Sequence, residues 1–157
     1  MRLLVCGGAG FIGSTFVRQR VGDFGDDVTV LDKLTYAGRR ENLEGTEHRF
    51  VHAGIEDRDA VAEAIADADA VVNFAAETHV DRSIAEPDAF VTTHSRGTYV
   101  LLDYARAAGI RFVQVSTDEV YGDVEGGGRS RESDPIRPSS PYSASRTSAT
   151  TSPCSTS

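Results

Sequence analysis

The chain has 157 residues, a formal net charge of −8 and 39% hydrophobic residues. This length suits one domain with a hydrophobic core, and the negative charge argues against nucleic acid or an anionic membrane surface as a partner. The two cysteines show no pairing or metal-ligand spacing, and neither a membrane span nor a signal peptide is predicted. We therefore expect a reduced, cytoplasmic setting.

Short apolar strands alternate with helical patterns along the chain. Strands are predicted over residues 2–6, 28–31, 49–53, 70–74 and 111–116. Helices are predicted over residues 11–21, after the N-cap Asp57, over 87–108 with Gly109 as the stop, and from about Tyr142. Strands separated by helices predict a Rossmann-like, doubly wound parallel sheet with helices on both faces. Ligands of such sheets bind across the carboxyl ends of the strands.

A glycine-rich turn joins the first strand to the first helix. Gly7 allows the tight turn, Gly10 lets a pyrophosphate approach the backbone, and Gly13 lets the helix pack close to the strand. The helix N-terminus then offers free N–H groups and a partial positive charge to phosphates. With a strand before it and a helix after it, this turn predicts a dinucleotide site. A turn with a purely structural role is the alternative.

Asp32 discriminates between the two nicotinamide dinucleotides. It ends the second strand, nineteen residues after Gly13. A carboxylate there accepts hydrogen bonds from ribose hydroxyls and repels a 2′-phosphate, so NAD is favoured over NADP. A solvated aspartate at a strand end is the alternative, and Arg39 and Arg40 would instead favour NADP.

Residues suited to acid–base chemistry follow the fifth strand. Thr117, Asp118 and Glu119 bring a hydroxyl and two carboxylates to the ligand-binding edge. Tyr142 and Arg146 lie four residues apart and share one face of the predicted last helix. A tyrosine beside a fixed cation can act as a base toward a hydroxyl that loses hydride. The alternatives are a solvated Asp–Glu pair and a tyrosine that serves only in packing.

Five stretches of the sequence carry a family resemblance, and residues 31–38 and 116–122 are far more specific to that family than the glycine turn. They are residues 7–14, 31–38 (LDKLTYAG), 75–84 (AAETHVDRSI), 116–123 (STDEVYGD) and 141–145 (PYSAS). Together they resemble the N-terminal half of the extended short-chain dehydrogenase/reductases, and among these the dTDP-glucose 4,6-dehydratases. The resemblance implies a lyase of deoxysugar biosynthesis that uses NAD to dehydrate dTDP-glucose to dTDP-4-keto-6-deoxyglucose. The implied steps are oxidation at C4, loss of water across C5 and C6, and return of hydride to C6.

The resemblance also implies roles for individual residues. Tyr142 would take the C4 hydroxyl proton, Glu119 would remove the C5 proton, and Asp118 would protonate the departing hydroxyl. Arg146 would supply the cation beside the tyrosine. The implied substrate contacts are Thr78 and Thr117, and the implied cofactor-binding residues are Gly7, Gly10, Phe11, Ile12, Gly13, Asp32, Lys33, Leu34, Thr35, Ile55, Phe74, Ala75, Ala76, Glu77, Thr78 and Thr93.

The chain departs from the family pattern at three positions. Arg146 replaces the lysine four residues after the tyrosine, and arginine is not equivalent to lysine in shape. Gly54 replaces the aspartate before Ile55, which removes an adenine contact. His94 stands where the family has asparagine.

The C-terminal segment is unlike a folded helix. Eight of the eleven residues from 147 to 157 are serine or threonine. We expect residues 1–146 to form an NAD-binding domain and residues 147–157 to form a disordered tail, with the substrate-binding half absent. A shifted reading frame near residue 146 is one hypothesis for this tail, and sequencing the coding region tests it.

Two other functions stay open. One is a non-catalytic NAD-binding fragment, and the other is a UDP-sugar epimerase or decarboxylase of the same fold. Relatives of this kind form homodimers, and the damaged last helix makes a stable dimer doubtful for this chain.

Overall fold

One parallel sheet forms the centre of the structure. The computed structural model describes residues 1–77, 91–123 and 128–139, together with 143, 144 and 147. These residues contain five parallel strands in the order β3-β2-β1-β4-β5. The strands are β1 (Arg2–Cys6), β2 (Asp27–Asp32), β3 (Arg49–His52), β4 (Ala70–Asn73) and β5 (Arg111–Gln114). The predicted Rossmann-like fold is confirmed. The strand order reverses between β1 and β4, which is where ligands bind in this architecture.

The central strand β1 is covered on both faces. Leu3, Leu4, Val5 and Cys6 are all buried, because successive side chains of the strand point to opposite faces of the sheet and each face has its own hydrophobic core. Leu4 and Cys6 belong to one hydrophobic cluster, and Leu3 and Val5 belong to the other. Burial raises the pKa of the Cys6 thiol far above its ordinary range, and the charge of Asp32 adds to this effect.

Within the described residues, three α-helices cover the sheet: α1 (Phe11–Gly22), α2 (Arg58–Ile65) and α3 (Thr98–Ala108). The Asp57 side chain caps α2 by accepting hydrogen bonds from the backbone N–H groups of Asp59 and Ala60, each at 3.1 Å. Gly109 ends α3 in the left-handed conformation with φ of 66°. Both predicted helix boundaries are therefore confirmed, and each has the expected physical cause. No helix within the described ranges is long and apolar enough to cross a membrane.

The helix predicted over residues 87–108 is not regular α-helix throughout. Its described part begins with a π-helical segment, Val91–Gly97, and continues as α3. The consecutive residues Thr93 and His94 are both buried in that segment. A side chain added at Gly97 would collide with Ile55, so this helix lies close against the loop after β3. Tertiary contacts of this kind accompany the wider π-helical turn, and the helical periodicity of the sequence does not reveal them.

Three predicted strand ends extend too far. The strands predicted to end at residues 53, 74 and 116 end at His52, Asn73 and Gln114. Phe74 and Val115 still donate backbone hydrogen bonds to the neighbouring strands, to Cys6 at 2.8 Å and to Asn73 at 3.0 Å, and the residues after all three strands line a cavity at the edge of the sheet. Ser143, Ala144 and Thr147 are helical, in agreement with a last helix that begins near residue 142. Thr147 donates a hydrogen bond to the Ser143 carbonyl at 2.8 Å, and the rest of the predicted tail lies outside the described residues.

Asp26 joins the start of β2 to the N-terminus and predicts a pH-dependent stability. The Met1 ammonium donates to its carboxylate at 2.6 Å, and Arg20 forms an ion pair with it. These partners, with the Met1 ammonium foremost, hold the pKa of Asp26 below its ordinary value near 3.8. Because the folded pKa is lowered, this stabilisation is present at neutral pH and is lost as the pH falls through the folded pKa.

We therefore expect Asp26→Asn to lower Tm at pH 7 and the difference from wild type to shrink toward pH 3. Thermal unfolding followed by circular dichroism at both pH values measures this. The exposed Glu47 provides a control, since Glu47→Gln should leave Tm nearly unchanged at pH 7. An equal loss of Tm at both pH values would contradict the assignment.

Candidate cofactor and catalytic site

A cavity of about 550 Å³ lies at the carboxyl ends of the strands. Its walls come from the glycine turn and from the residues that follow β2, β3, β4 and β5. Most of the site residues predicted from the sequence meet there. They are Gly7, Gly10, Phe11, Ile12, Gly13, Asp32, Lys33, Thr35, Ile55, Phe74, Ala75, Ala76, Thr93, Thr117 and Asp118.

The glycine turn has the geometry that the sequence predicts. Gly7 has φ of 71°, and a Cβ added to it would lie 2.5 Å from the Ala75 nitrogen. A Cβ at Gly13 would collide with the Gly7 carbonyl, so α1 starts in close contact with the turn. Gly10 is the N-cap and provides no side-chain cap, and the first turn of α1 has no acidic residue. The start of α1 therefore borders the cavity with no side-chain cap and no acidic residue in its first turn, an arrangement that suits an anion.

Asp32 fastens the end of β2 to the glycine turn. One carboxylate oxygen accepts a hydrogen bond from the Ala9 N–H at 2.9 Å, and the other accepts from the Leu34 N–H at 2.8 Å. Each oxygen has a second lone pair, so the buried carboxylate still has acceptor capacity toward the cavity. Leu34 has φ of 53°, an uncommon value for a residue other than glycine. Leu34, a predicted cofactor-binding residue, is not among the cavity-lining residues, and its backbone instead orients Asp32.

A polar network joins the ends of β2 and β4 to the π-helical segment. The Lys33 ammonium lies 2.9 Å from a Glu77 carboxylate oxygen and donates to the Thr93 hydroxyl at 2.9 Å. The Glu77 backbone N–H donates to Nε2 of His94 at 2.9 Å. His94 accepts through Nε2, so its ring is in the tautomer that carries no proton on that nitrogen. Glu77 was predicted to bind cofactor, but within the described residues it pairs with Lys33 and is not part of the cavity lining.

The residues predicted to be catalytic are distributed over two adjoining cavities. Thr117 caps the 3₁₀ turn Asp118–Tyr121: its Oγ1 accepts from the Glu119 N–H at 3.3 Å and donates to an Asp118 carboxylate oxygen at 3.3 Å. Asp118 borders the first cavity and also a second one of about 480 Å³. Glu119 borders only the second of these two cavities, which Arg129 also lines. Thr78, Tyr142 and Arg146 lie outside the described residues.

Several cavity residues were missed by sequence reasoning. Each lies at the end of a strand or within a few residues after it, so inspection of every strand end would have identified them as candidates. They are Leu31, Ala37, Gly38, Ala53, Gly54, Glu56, Val115 and Ser116.

A family model described as GDP-mannose 4,6 dehydratase matches residues 4–153. The chain belongs to this family. It is 53% identical over 154 residues to the low-salt glycan biosynthesis protein Agl12 of Haloferax volcanii, covering 95% of the chain and 49% of that protein. It is 52% identical to a dTDP-glucose 4,6-dehydratase of Mycobacterium tuberculosis, covering 95% of the chain and 46% of that protein. The chain thus spans about half the length of the curated relatives it matches.

Solved structures agree with this family membership. DesIV, a dTDP-glucose 4,6-dehydratase of Streptomyces venezuelae solved with NAD bound, matches with a TM-score of 0.88 and 51% identity, covering 95% of this chain and 49% of its own. The UDP-glucose 4-epimerase of Thermus thermophilus, also solved with NAD, matches with a TM-score of 0.87 and 36% identity, covering 96% of this chain and 49% of its own. The resemblance found in the sequence motifs is confirmed.

His94 gives a stability prediction. Replacing it with leucine removes the acceptor of the Glu77 N–H, which is buried, and an unsatisfied buried donor costs about 1–3 kcal/mol. We expect His94→Leu to lower the free energy of unfolding by at least this order, measured by urea denaturation with an unchanged m-value. His52 is exposed, so His52→Leu serves as the matched control and should change little. Equal stability of His94→Leu and wild type would contradict the role of this hydrogen bond.

Proposed function

We propose that the chain is the NAD-binding half of a nucleotide-sugar 4,6-dehydratase that converts dTDP-glucose to dTDP-4-keto-6-deoxyglucose. One observation carries the proposal. The glycine turn and Asp32 border one side of a single cavity, and Thr117 and Asp118 border it after β5. Relatives support it, since DesIV was solved with NAD and a UDP-glucose 4-epimerase of Thermotoga maritima with UDP-glucose.

The residues present fit NAD. The uncapped start of α1 would receive the pyrophosphate, because its N–H groups and helix dipole favour an anion. Asp32 would accept hydrogen bonds from the adenosine ribose hydroxyls with its remaining lone pairs, and its negative charge would disfavour a 2′-phosphate. When bound, NAD supplies reversible acceptance of hydride from the sugar.

The Asp118–Glu119 pair favours dehydration over epimerisation. Elimination of water needs one group that removes a proton from carbon and another that protonates the departing hydroxyl. We assign the base to Glu119 and the acid to Asp118, as the family resemblance implies, and Asp118 borders both cavities whereas Glu119 borders only the second. Thr117 would form a hydrogen bond with the C4 oxygen of the sugar. Epimerisation at C4 requires no such pair of carboxylates.

Five sequence-based expectations remain predictions. Tyr142 would be the base for the C4 hydroxyl with Arg146 beside it, and Thr78 would contact both cofactor and sugar. The division into a domain of residues 1–146 and a tail, the homodimer of the relatives and the cytoplasmic location also stay predictions. A non-catalytic NAD-binding fragment is the second candidate, because the chain spans about half the length of its relatives.

Cofactor choice tests the first half of the proposal. Isothermal titration calorimetry of the purified chain should show tighter binding of NAD than of NADP. Asp32→Ala should weaken NAD binding about tenfold to a hundredfold, the range for loss of hydrogen bonds to a charged group. The same substitution should reduce the difference in affinity between NAD and NADP. Glu47→Ala on the surface is the control. Equal affinity of the wild type for both dinucleotides would contradict the role of Asp32.

Turnover tests the second half. If the chain is catalytic by itself, incubation with NAD and dTDP-glucose should give a product lighter by one water, detected by mass spectrometry. Asp118→Asn should reduce the rate about 10²- to 10⁴-fold, the usual contribution of a general acid, and leave the affinity for NAD unchanged. Asp67→Asn, at an exposed carboxylate remote from the cavity, should retain the wild-type rate. Binding of NAD without loss of water would favour the non-catalytic fragment.

A further inference from the structure

Glu56 borders the cavity, and one of its carboxylate oxygens has no hydrogen-bond partner in the part of the chain that the structure describes. It follows β3 and is one of the cavity-lining residues. Its Oε2 atom is buried and has no hydrogen-bond partner among the residues that the structure describes. Buried polar atoms are paired in most native structures, and an unpaired one costs free energy. An unpaired acceptor beside a ligand cavity therefore indicates that the ligand supplies the donor.

Gly54 provides the space that this carboxylate occupies. A Cβ added at Gly54 would collide with both carboxylate oxygens of Glu56. The glycine has no positive φ that would require it, so the absent side chain is explained by this close approach. Gly54 and Glu56 therefore form one unit in which the carboxylate lies against bare backbone at the cavity wall.

The sheet order identifies the part of a dinucleotide that would reach Glu56. Asp32 follows β2 and would hold the adenosine ribose, whereas Thr117 follows β5 at the other end of the order β3-β2-β1-β4-β5. Glu56 follows β3, beyond β2 on the side away from Thr117. A base attached to the ribose at Asp32 and directed away from the phosphates thus lies toward Glu56.

We propose that Glu56 selects the base of the dinucleotide by accepting a hydrogen bond from the exocyclic amino group of adenine. This inference rests on the proposed binding of NAD. An ionised carboxylate can only accept hydrogen bonds, and the 6-amino group of adenine is a donor. A base with an oxo group at that position would place lone pairs against the carboxylate and leave Oε2 unpaired. The cavity should therefore discriminate adenine from hypoxanthine.

The test compares NAD with nicotinamide hypoxanthine dinucleotide by calorimetry, using the full chain. Wild type should bind NAD about tenfold or more tightly than the hypoxanthine analogue, because a site built for a donor leaves polar groups unpaired when the donor is absent. Glu56→Ala should bring the two affinities close together, mainly by weakening NAD binding. Glu47→Ala should keep the wild-type ratio.

A second variant moves the carboxylate by two positions. Gly54→Asp combined with Glu56→Ala places a carboxylate on residue 54, in the space that Glu56 vacates, and should restore preference for NAD over the analogue. Thermal melts check folding, and Glu56→Ala should keep Tm close to the wild-type value because the buried Oε2 atom makes no hydrogen bond with the described parts of the chain.

The outcomes separate this inference from the proposed function. Equal binding of both dinucleotides by wild type, or an unchanged ratio in Glu56→Ala, would overturn the role of Glu56 while NAD binding stands. Failure of the wild type to bind either dinucleotide would overturn both proposals.

Discussion

The hydrogen bond from the Ala9 N–H to the Asp32 carboxylate is the contact on which the candidate site depends. It joins the glycine turn after β1 to the end of β2, and the second carboxylate oxygen is fixed by the Leu34 N–H. Asp32 is therefore immobilised before any ligand arrives, with acceptor capacity left over. Gly7, in close contact with Ala75, connects the same turn to the end of β4. A site preorganised in this way loses little conformational entropy on binding.

The sequence was sufficient for the fold and for the phosphate end of the site, because both depend on local signals. The glycine spacing, the buried strand before it and Asp32 nineteen residues later can be recognised without knowledge of tertiary contacts. The wider turn of Val91–Gly97 was not predictable from periodicity, since its residues pack on a loop about forty positions earlier. Leu34 was assigned to the cofactor, yet its structural contribution is a backbone N–H, which its side-chain type does not reveal.

Gly54 shows the same limit more sharply. From sequence alone, the glycine signified a lost adenine contact. In the structure its missing side chain makes room for the carboxylate of Glu56, two residues later. This relation between Gly54 and Glu56 can be recognised only from a structure that places both residues at the same cavity wall. His94 is a similar case, because the ring nitrogen that accepts from the Glu77 N–H gives the unexpected residue a definite structural task.

Local geometry also explains how two adjacent carboxylates could take different roles under the proposed function. Asp118 and Glu119 are consecutive in a 3₁₀ turn, where successive side chains are about 120° apart. The next residue, Val120, is buried and anchors the turn, and Asp118 borders both cavities whereas Glu119 borders only the second. An acid and a base that act on one substrate must approach it from different positions. The 3₁₀ turn, capped by Thr117, thus supplies from four residues the asymmetry that the chemistry requires.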